Sequence, residues 1–370
     1  MHDSFDPSAA ASHDGIYGLP FSVDEAKVVL VPVPWEATVS YGAGTANGPA
    51  AILEASRQVD LLDRETGRPY QAGIAMLPIP GDVRAWSDEA RRLALPVIEA
   101  GGAGNHPALR QAVAAVDALG ERMNAWVHGE ASRILAAGKL LGVVGGDHST
   151  PFGAIRAVAE AYPGVGILHF DAHADLRHAY EGFRWSHASI MYNVFRELPA
   201  VARIVQVGIR DYCDEEDALI RDNPDRIRTY FDPEIRHHLL DGEAFVQLAR
   251  RIVADLPNKV YVSFDIDGLD PALCPHTGTP VVGGLSFAEA VALLRAVAEG
   301  GRRIVGFDLK LAGIETPSDH ERSVRRTVDP SAGRYPRSSA HARARSSPSR
   351  RATRTEYPRR ASGDSTRVRL

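Results

Sequence analysis

A chain of 370 residues with 44% hydrophobic content has room for one large globular domain or two modest ones. The start carries no basic stretch followed by an apolar run, and nothing approaches the roughly 18 apolar residues of a membrane span, so a cytoplasmic protein without a secretion signal or a membrane span is the expectation. Cys213 and Cys274 are the only cysteines and form no CxxC pair, which argues against a disulfide framework and a thiolate zinc site. The net charge of −5 hides two unlike segments: residues 318–370 hold fourteen Arg and no Lys against five acidic residues, so residues 1–317 stand at −14. An acidic body suits small cations and metal ions better than nucleic acid.

In chain order, β-rich apolar runs occur at 27–34 (KVVLVPVP), 140–146 (LLGVVGG), 165–170 (VGILHF), 203–208 (RIVQVG), 259–264 (KVYVSF) and 302–309 (RRIVGFDL). Runs that are apolar on both alternating faces are what strands of a parallel sheet look like when both sides are covered. Helix spacing links Leu109, Val113, Val116, Met123 and Val127, then Phe245, Leu248 and Ile252, then Phe287, Val291, Leu294 and Val297. Ser286 with Glu289 reads as a capping box, and Thr150 before Pro151 as an N-cap and first helical position. This alternation predicts an α/β fold, an open α/β/α sandwich whose ligands sit at the carboxyl ends of the strands. Three segments are expected: an N-terminal extension over 1–25, one catalytic domain over 26–310, and an Arg-, Ser- and Pro-rich stretch over 311–370. The last has too few apolar residues to offset the entropy of ordering and should be disordered.

Three short segments put His and Asp at the ends of predicted strands: GGDHS at 145–149, DAHAD at 171–175 and SFDIDGLDP at 263–271. Strand alternation lets Asp171, His173 and Asp175 face one side together, and likewise Asp265 and Asp267. Taken singly, each segment has an ordinary explanation. An Asp-His pair after a strand often caps a turn, and Gly145 with Gly146 is only a turn signal. Taken together with His148, the segments aim four carboxylates and two imidazoles at one buried edge, an arrangement that is very costly without cations. A mixed oxygen and nitrogen set without sulfur, large enough for two divalent ions, suits manganese, with nickel or iron as alternatives by ligand type.

These three signatures, in this order and at similar separations, resemble the ureohydrolase family of arginases and agmatinases over roughly residues 15–309. The resemblance implies a three-layer α/β/α sandwich with a mostly parallel sheet of about eight strands, two manganese ions per chain, and a homotrimer or homohexamer. Matched position by position, His148, Asp171, His173, Asp175, Asp265 and Asp267 correspond to the family's metal ligands. Asp267 corresponds to the group that relays a proton, and His187, in FRWSHASIM, to the family's proton shuttle. The activity implied is hydrolysis of a guanidino compound to urea and an amine by a hydroxide held between two cations. No counterpart is found to the polar grip by which arginases hold the amino-acid end of arginine. The stretch PVPWEATVSYGAGTANGP at 32–49 looks like the agmatinase branch, so agmatine is the first expectation, with guanidine, 4-guanidinobutanoate or arginine as alternatives. Trp185 is a candidate substrate contact and Trp35 a candidate pocket wall, against the commoner role of either as core.

The sequence departs from the family after RRIVGFDL. Where the family carries a glutamate that helps hold the guanidinium, this chain has Leu311, after which the basic segment begins. Its composition is that of a GC-rich gene read out of frame; a genuine basic tail that contacts nucleic acid or an acidic partner is the competing origin. Two other functional readings compete: a catalytically silent metal-binding scaffold, which Leu311 favours and the intact ligand set opposes, and a single-zinc deacetylase on the same fold.

Overall fold

The computed structural model describes residues 5–310; the expectations for residues 311–370, including the part played by Leu311, lie outside the described residues. In chain order the elements are β1 (Val28–Val33), α1 (Gly48–Ala55), β2 (Ile74–Met76), α2 (Gly81–Glu99), α3 (Pro107–Ala136), β3 (Leu140–Gly145), α4 (Phe152–Ala161), β4 (Val165–Phe170), α5 (Ile190–Glu197), β5 (Val201–Ile209), α6 (Asp214–Asp222), β6 (Ile227–Phe231), α7 (Asp232–Leu240), α8 (Phe245–Ala254), β7 (Lys259–Asp265), α9 (Phe287–Glu299) and β8 (Arg303–Lys310). The strands form one sheet in the order β2-β1-β3-β8-β7-β4-β5-β6, and every ladder in it is parallel.

Alternation along the strands builds a core on each face. On β4, Val165 and Ile167 join a core with α2, α3, α4 and α5, whereas Leu168 and Phe170 join a second core with α7, α8 and α9. The result is the three-layer sandwich that the sequence predicts. All six anticipated runs are strands, and β2 and β6 are additional. β2 has only three residues, and β6 alternates with exposed Arg228, so neither carries an apolar run.

The long helix α3 contains all five of its anticipated apolar residues, and Gly120 within it lets Trp185 approach: a Cβ there would lie 2.9 Å from the Trp185 Cβ. The Ser286 capping box forms, with the Ser286 hydroxyl accepting from Glu289 N and Glu289 Oε2 accepting from Ser286 N. Thr150 does not cap α4, which starts one residue later than expected. Its hydroxyl donates instead to the Asp147 carbonyl at 3.1 Å and accepts from the Lys310 ammonium. Both cysteines are free, and among the described residues no helix is long and apolar enough to cross a membrane.

Candidate metal centre

The acidic segments converge beyond the carboxyl ends of β3, β7 and β4, which with β8 form four neighbouring strands in the middle of the sheet. Close backbone packing sets His148. Gly146 N and Asp147 N donate to the Val33 and Trp35 carbonyls at 3.0 and 2.9 Å, and a Cβ on Gly146 would stand 1.7 Å from the Trp35 carbonyl oxygen. That glycine is therefore a packing requirement as well as a turn signal.

The grouping of Asp171, His173 and Asp175 does not come from strand alternation, because β4 ends at Phe170. A turn produces it. Asp171 Oδ1 accepts from His173 N at 2.6 Å, and Asp175 adopts a left-handed backbone with φ 53°, an uncommon choice for a non-glycine residue. Its carbonyl accepts from Met191 N and Tyr192 N, satisfying donors in the first turn of α5. Asp265 closes β7, while Asp267 sits in a single 3-10 turn, Ile266–Gly268. Asp267 N donates to Asp265 Oδ1 at 3.1 Å, and Asp267 Oδ1 accepts from Ala172 N at 3.0 Å, tying the two acidic segments together. Arg210 secures the same loop, donating to the Gly208, Asp267, Leu269 and Val281 carbonyls.

All six anticipated ligands meet. His148 Nδ1 lies 2.8 Å from Asp171 Oδ2, 3.0 Å from Asp175 Oδ2 and 3.4 Å from Asp265 Oδ2. His173 Nδ1 lies 3.3 Å from Asp171 Oδ1 and 3.2 Å from Asp267 Oδ2. Two groups can each hold a metal ion, one of His148, His169, Asp171 and Asp175 and one of Asp171, His173 and Asp267, so Asp171 is common to both.

Electrostatics mark the cluster as built for cations. Burial, then the neighbouring Asp171 charge, pushes Asp175 up to about 7, and burial with Asp267 and Asp171 raises Asp265. Burial alone would lower His173; hydrogen bonds to Asp171 and Asp267 outweigh it and push it up to about 12. Protons are here standing where positive charge is needed. Hydrogen bonding around His148 leads to the same conclusion. The Ser263 hydroxyl spends its hydrogen on Asp308 Oδ1 at 3.2 Å, so at 2.9 Å from His148 Nε2 it can only accept. That fixes the hydrogen on Nε2 in the neutral ring and turns the Nδ1 lone pair toward three carboxylates, a repulsive arrangement unless a proton or a metal ion lies between them. The donor set therefore fits two divalent cations.

His187 lines the cleft above this cluster together with Val39, Ser40, Thr45, Thr277 and Thr279. Its Nδ1 is 3.3 Å from the Thr38 hydroxyl and 3.5 Å from that of Ser186. Loss of solvation, reinforced by the positive rings of His173 and His148, lowers its pKa to about 4, so it is a neutral imidazole near neutrality. Arg91 holds the rear of this wall by donating to the Ala37 and Val39 carbonyls, and Gly42 N donates to the Gly278 carbonyl at 3.1 Å, joining the two loops at the mouth.

Trp185 and Trp35 take the commoner role and are core residues, not cleft walls. The Trp185 ring packs 4.8 Å from that of Phe152, and Trp35 is 1% exposed. His169, Ser263, Asp308 and Lys310 also surround the cluster, the first three inside the apolar runs and Lys310 directly after the last of them. Lys310 is buried at the back of the cluster, bonded to Thr150 and 3.8 Å from Asp308 Oδ1. Burial lowers its pKa, opposed by Asp308, Asp147 and Asp265.

A family model described as the arginase family matches residues 26–322. This chain belongs to the arginase family. It is 34% identical over 288 residues to an N(1)-aminopropylagmatine ureohydrolase of Thermus thermophilus, covering 77% of this chain and 82% of the relative. It is 30% identical over 311 residues to an agmatinase of Cronobacter sakazakii, covering 82% and 87%. Among solved structures, a proclavaminate amidino hydrolase from Streptomyces clavuligerus aligns with a TM-score of 0.59 at 25% identity, covering 82% of this chain and 90% of that one. The protein is thus an agmatinase-like ureohydrolase that cleaves a guanidino C–N bond, in a family of binuclear metal enzymes. The matched stretch extends beyond Leu309, the end expected from the sequence.

Proposed function

We propose that this enzyme uses two manganese ions to hydrolyse agmatine to putrescine and urea. The ions would be held by His148, Asp171 and Asp175 on one side, by His173 and Asp267 on the other, and by Asp265 beside them. Bound there, they would supply Lewis acidity and a hydroxide at neutral pH. The protein's own groups do the rest. Asp267, hydrogen-bonded to Ala172 N, is held where it can accept the proton of the attacking water and pass it on. His187, kept neutral by its surroundings, takes up and delivers a proton as the amine departs.

The observation that supports an amine rather than an amino acid is the wall of the cleft. Among its described lining residues there is no Lys or Arg to pair with a substrate carboxylate, whereas Ser40, Thr45, Thr277 and Thr279 contribute to the lining. N(1)-aminopropylagmatine is the second reading, favoured by the substrate named for the Thermus relative. Urea release by the manganese-loaded chain, assayed on agmatine, N(1)-aminopropylagmatine, arginine, guanidine and 4-guanidinobutanoate, separates these, with His148→Ala as the control. Agmatine should give the highest kcat/KM. Preference for the aminopropyl compound would transfer the assignment to it, and preference for arginine would overturn the reading of the wall.

A further inference from the structure

Three buried polar residues lie side by side across the sheet: His169 on β4, its register partner Gln206 on β5, and Gln206's partner Thr229 on β6. Polar side chains in such surroundings are costly unless every donor and acceptor is matched. Here the matching has one solution. The Ala174 carbonyl can only accept, so the Gln206 side-chain atom 2.7 Å from it is the amide nitrogen. Thr229 donates to Gln206 Oε1 at 2.9 Å, fixing the same orientation from the other end. The second amide hydrogen of Gln206 then points at His169 Nδ1, 3.1 Å away, which must be an unprotonated acceptor. The ring hydrogen is therefore on Nε2, 2.9 Å from Asp171 Oδ2.

We propose that His169 is a positioning residue and not a metal ligand: Gln206 and Thr229 lock it as the Nε2–H tautomer, and that hydrogen holds the carboxylate shared by both metal groups. Its distance from the other ligand atoms would allow coordination, but neither ring nitrogen has a lone pair to give. The donor is neutral, so it aims Asp171 without cancelling the charge that attracts the cations. The inference rests in part on the metal reading, and the tautomer can be tested without it.

In the full chain carrying 15N-histidine, the His169 signal, identified by its loss in His169→Gln, should show hydrogen on Nε2; hydrogen on Nδ1 would overturn the proposal whatever the metal content. Mn2+ titrations followed by electron paramagnetic resonance test the consequence. The wild type should bind two ions, and His169→Phe and Gln206→Leu should bind about 10–100-fold more weakly. His169→Gln, which keeps an N–H near the Nε2 position, should restore most of the affinity. Gln206→Leu keeps the result readable if His169→Phe fails to fold, since it leaves every anticipated ligand in place. Unchanged affinity in Gln206→Leu would overturn the proposal, and so would the loss of one ion in both His169 variants, which would make His169 a ligand. A wild type that binds no manganese would refute the metal reading, leaving the tautomer result to stand or fall alone.

Discussion

The two halves of the cluster share Asp171 but meet their surroundings differently. The His148 side chain is 3% exposed and its outer nitrogen is anchored through Ser263 to Asp308, in the interior of two strands. The His173 side chain is 23% exposed, and the carboxylate beyond it, Asp211, is 3.8 Å away on an exposed loop. Both halves sit on turns beyond the strands, but His148 is anchored to β7 and β8 through Ser263 and Asp308, whereas His173 is the more exposed. An ion held in the inner half would therefore be coupled to the stability of the fold, and one held in the outer half would exchange more easily with solvent.

Replacing the shared group should erase the comparison. Asp171→Asn is expected to abolish both metal binding and urea release, measured by metal analysis and urea assay; a variant that still carried two ions would contradict the shared role. Removing one half at a time should sharpen it. Saturating Mn2+ adds about 2.7 kcal/mol per site at a hundredfold excess over Kd. His148→Ala should lose most of that thermal stabilisation, whereas His173→Ala should keep the inner ion's share, so equal losses in a melting experiment would refute the asymmetry. Ser263→Ala loosens only the anchor of the inner half, and about 10–100-fold in metal affinity or activity is expected. The smallest effect concerns His187. Its pKa is lowered to about 4 from an ordinary value near 6.5, so between those limits the unfolded chain binds a proton that the folded chain refuses. Its contribution is complete above pH 6.5 and is lost as pH falls toward 4. His187→Gln should flatten the fall of Tm with pH over that interval, and an unaltered slope would contradict the assigned shift.

The sequence was most informative where chemistry and periodicity coincide. Asp171, His173, Asp175, Asp265 and Asp267 stand out because charged residues follow directly on apolar runs. His169 and Ser263 did not stand out because each lies within such a run, although each precedes a ligand by two residues in the chain, an offset that invites inspection. Asp308 and Lys310 share a face of β8 by the same period, but their role depends on β8 lying between β3 and β7, which no local pattern reveals. Trp185 was ambiguous because an aromatic residue beside His187 fits a pocket as well as a core; Gly120 on a distant helix decides it. β2 and β6 lie at the two edges of the sheet, where short or half-polar strands suffice.

The position of β8 has a consequence for how the molecule is made. Its ladders to β3 and β7 join the two portions of the sheet, yet it comes last of the eight strands among the described residues. Until residues 303–310 emerge from the ribosome, β3 and β7 present unpaired edges to each other and to any other nascent chain. His148 belongs to one portion and the other five proposed ligands to the other, so insertion of this single strand, a contact of long sequence separation and hence slow closure, would have to precede capture of two ions.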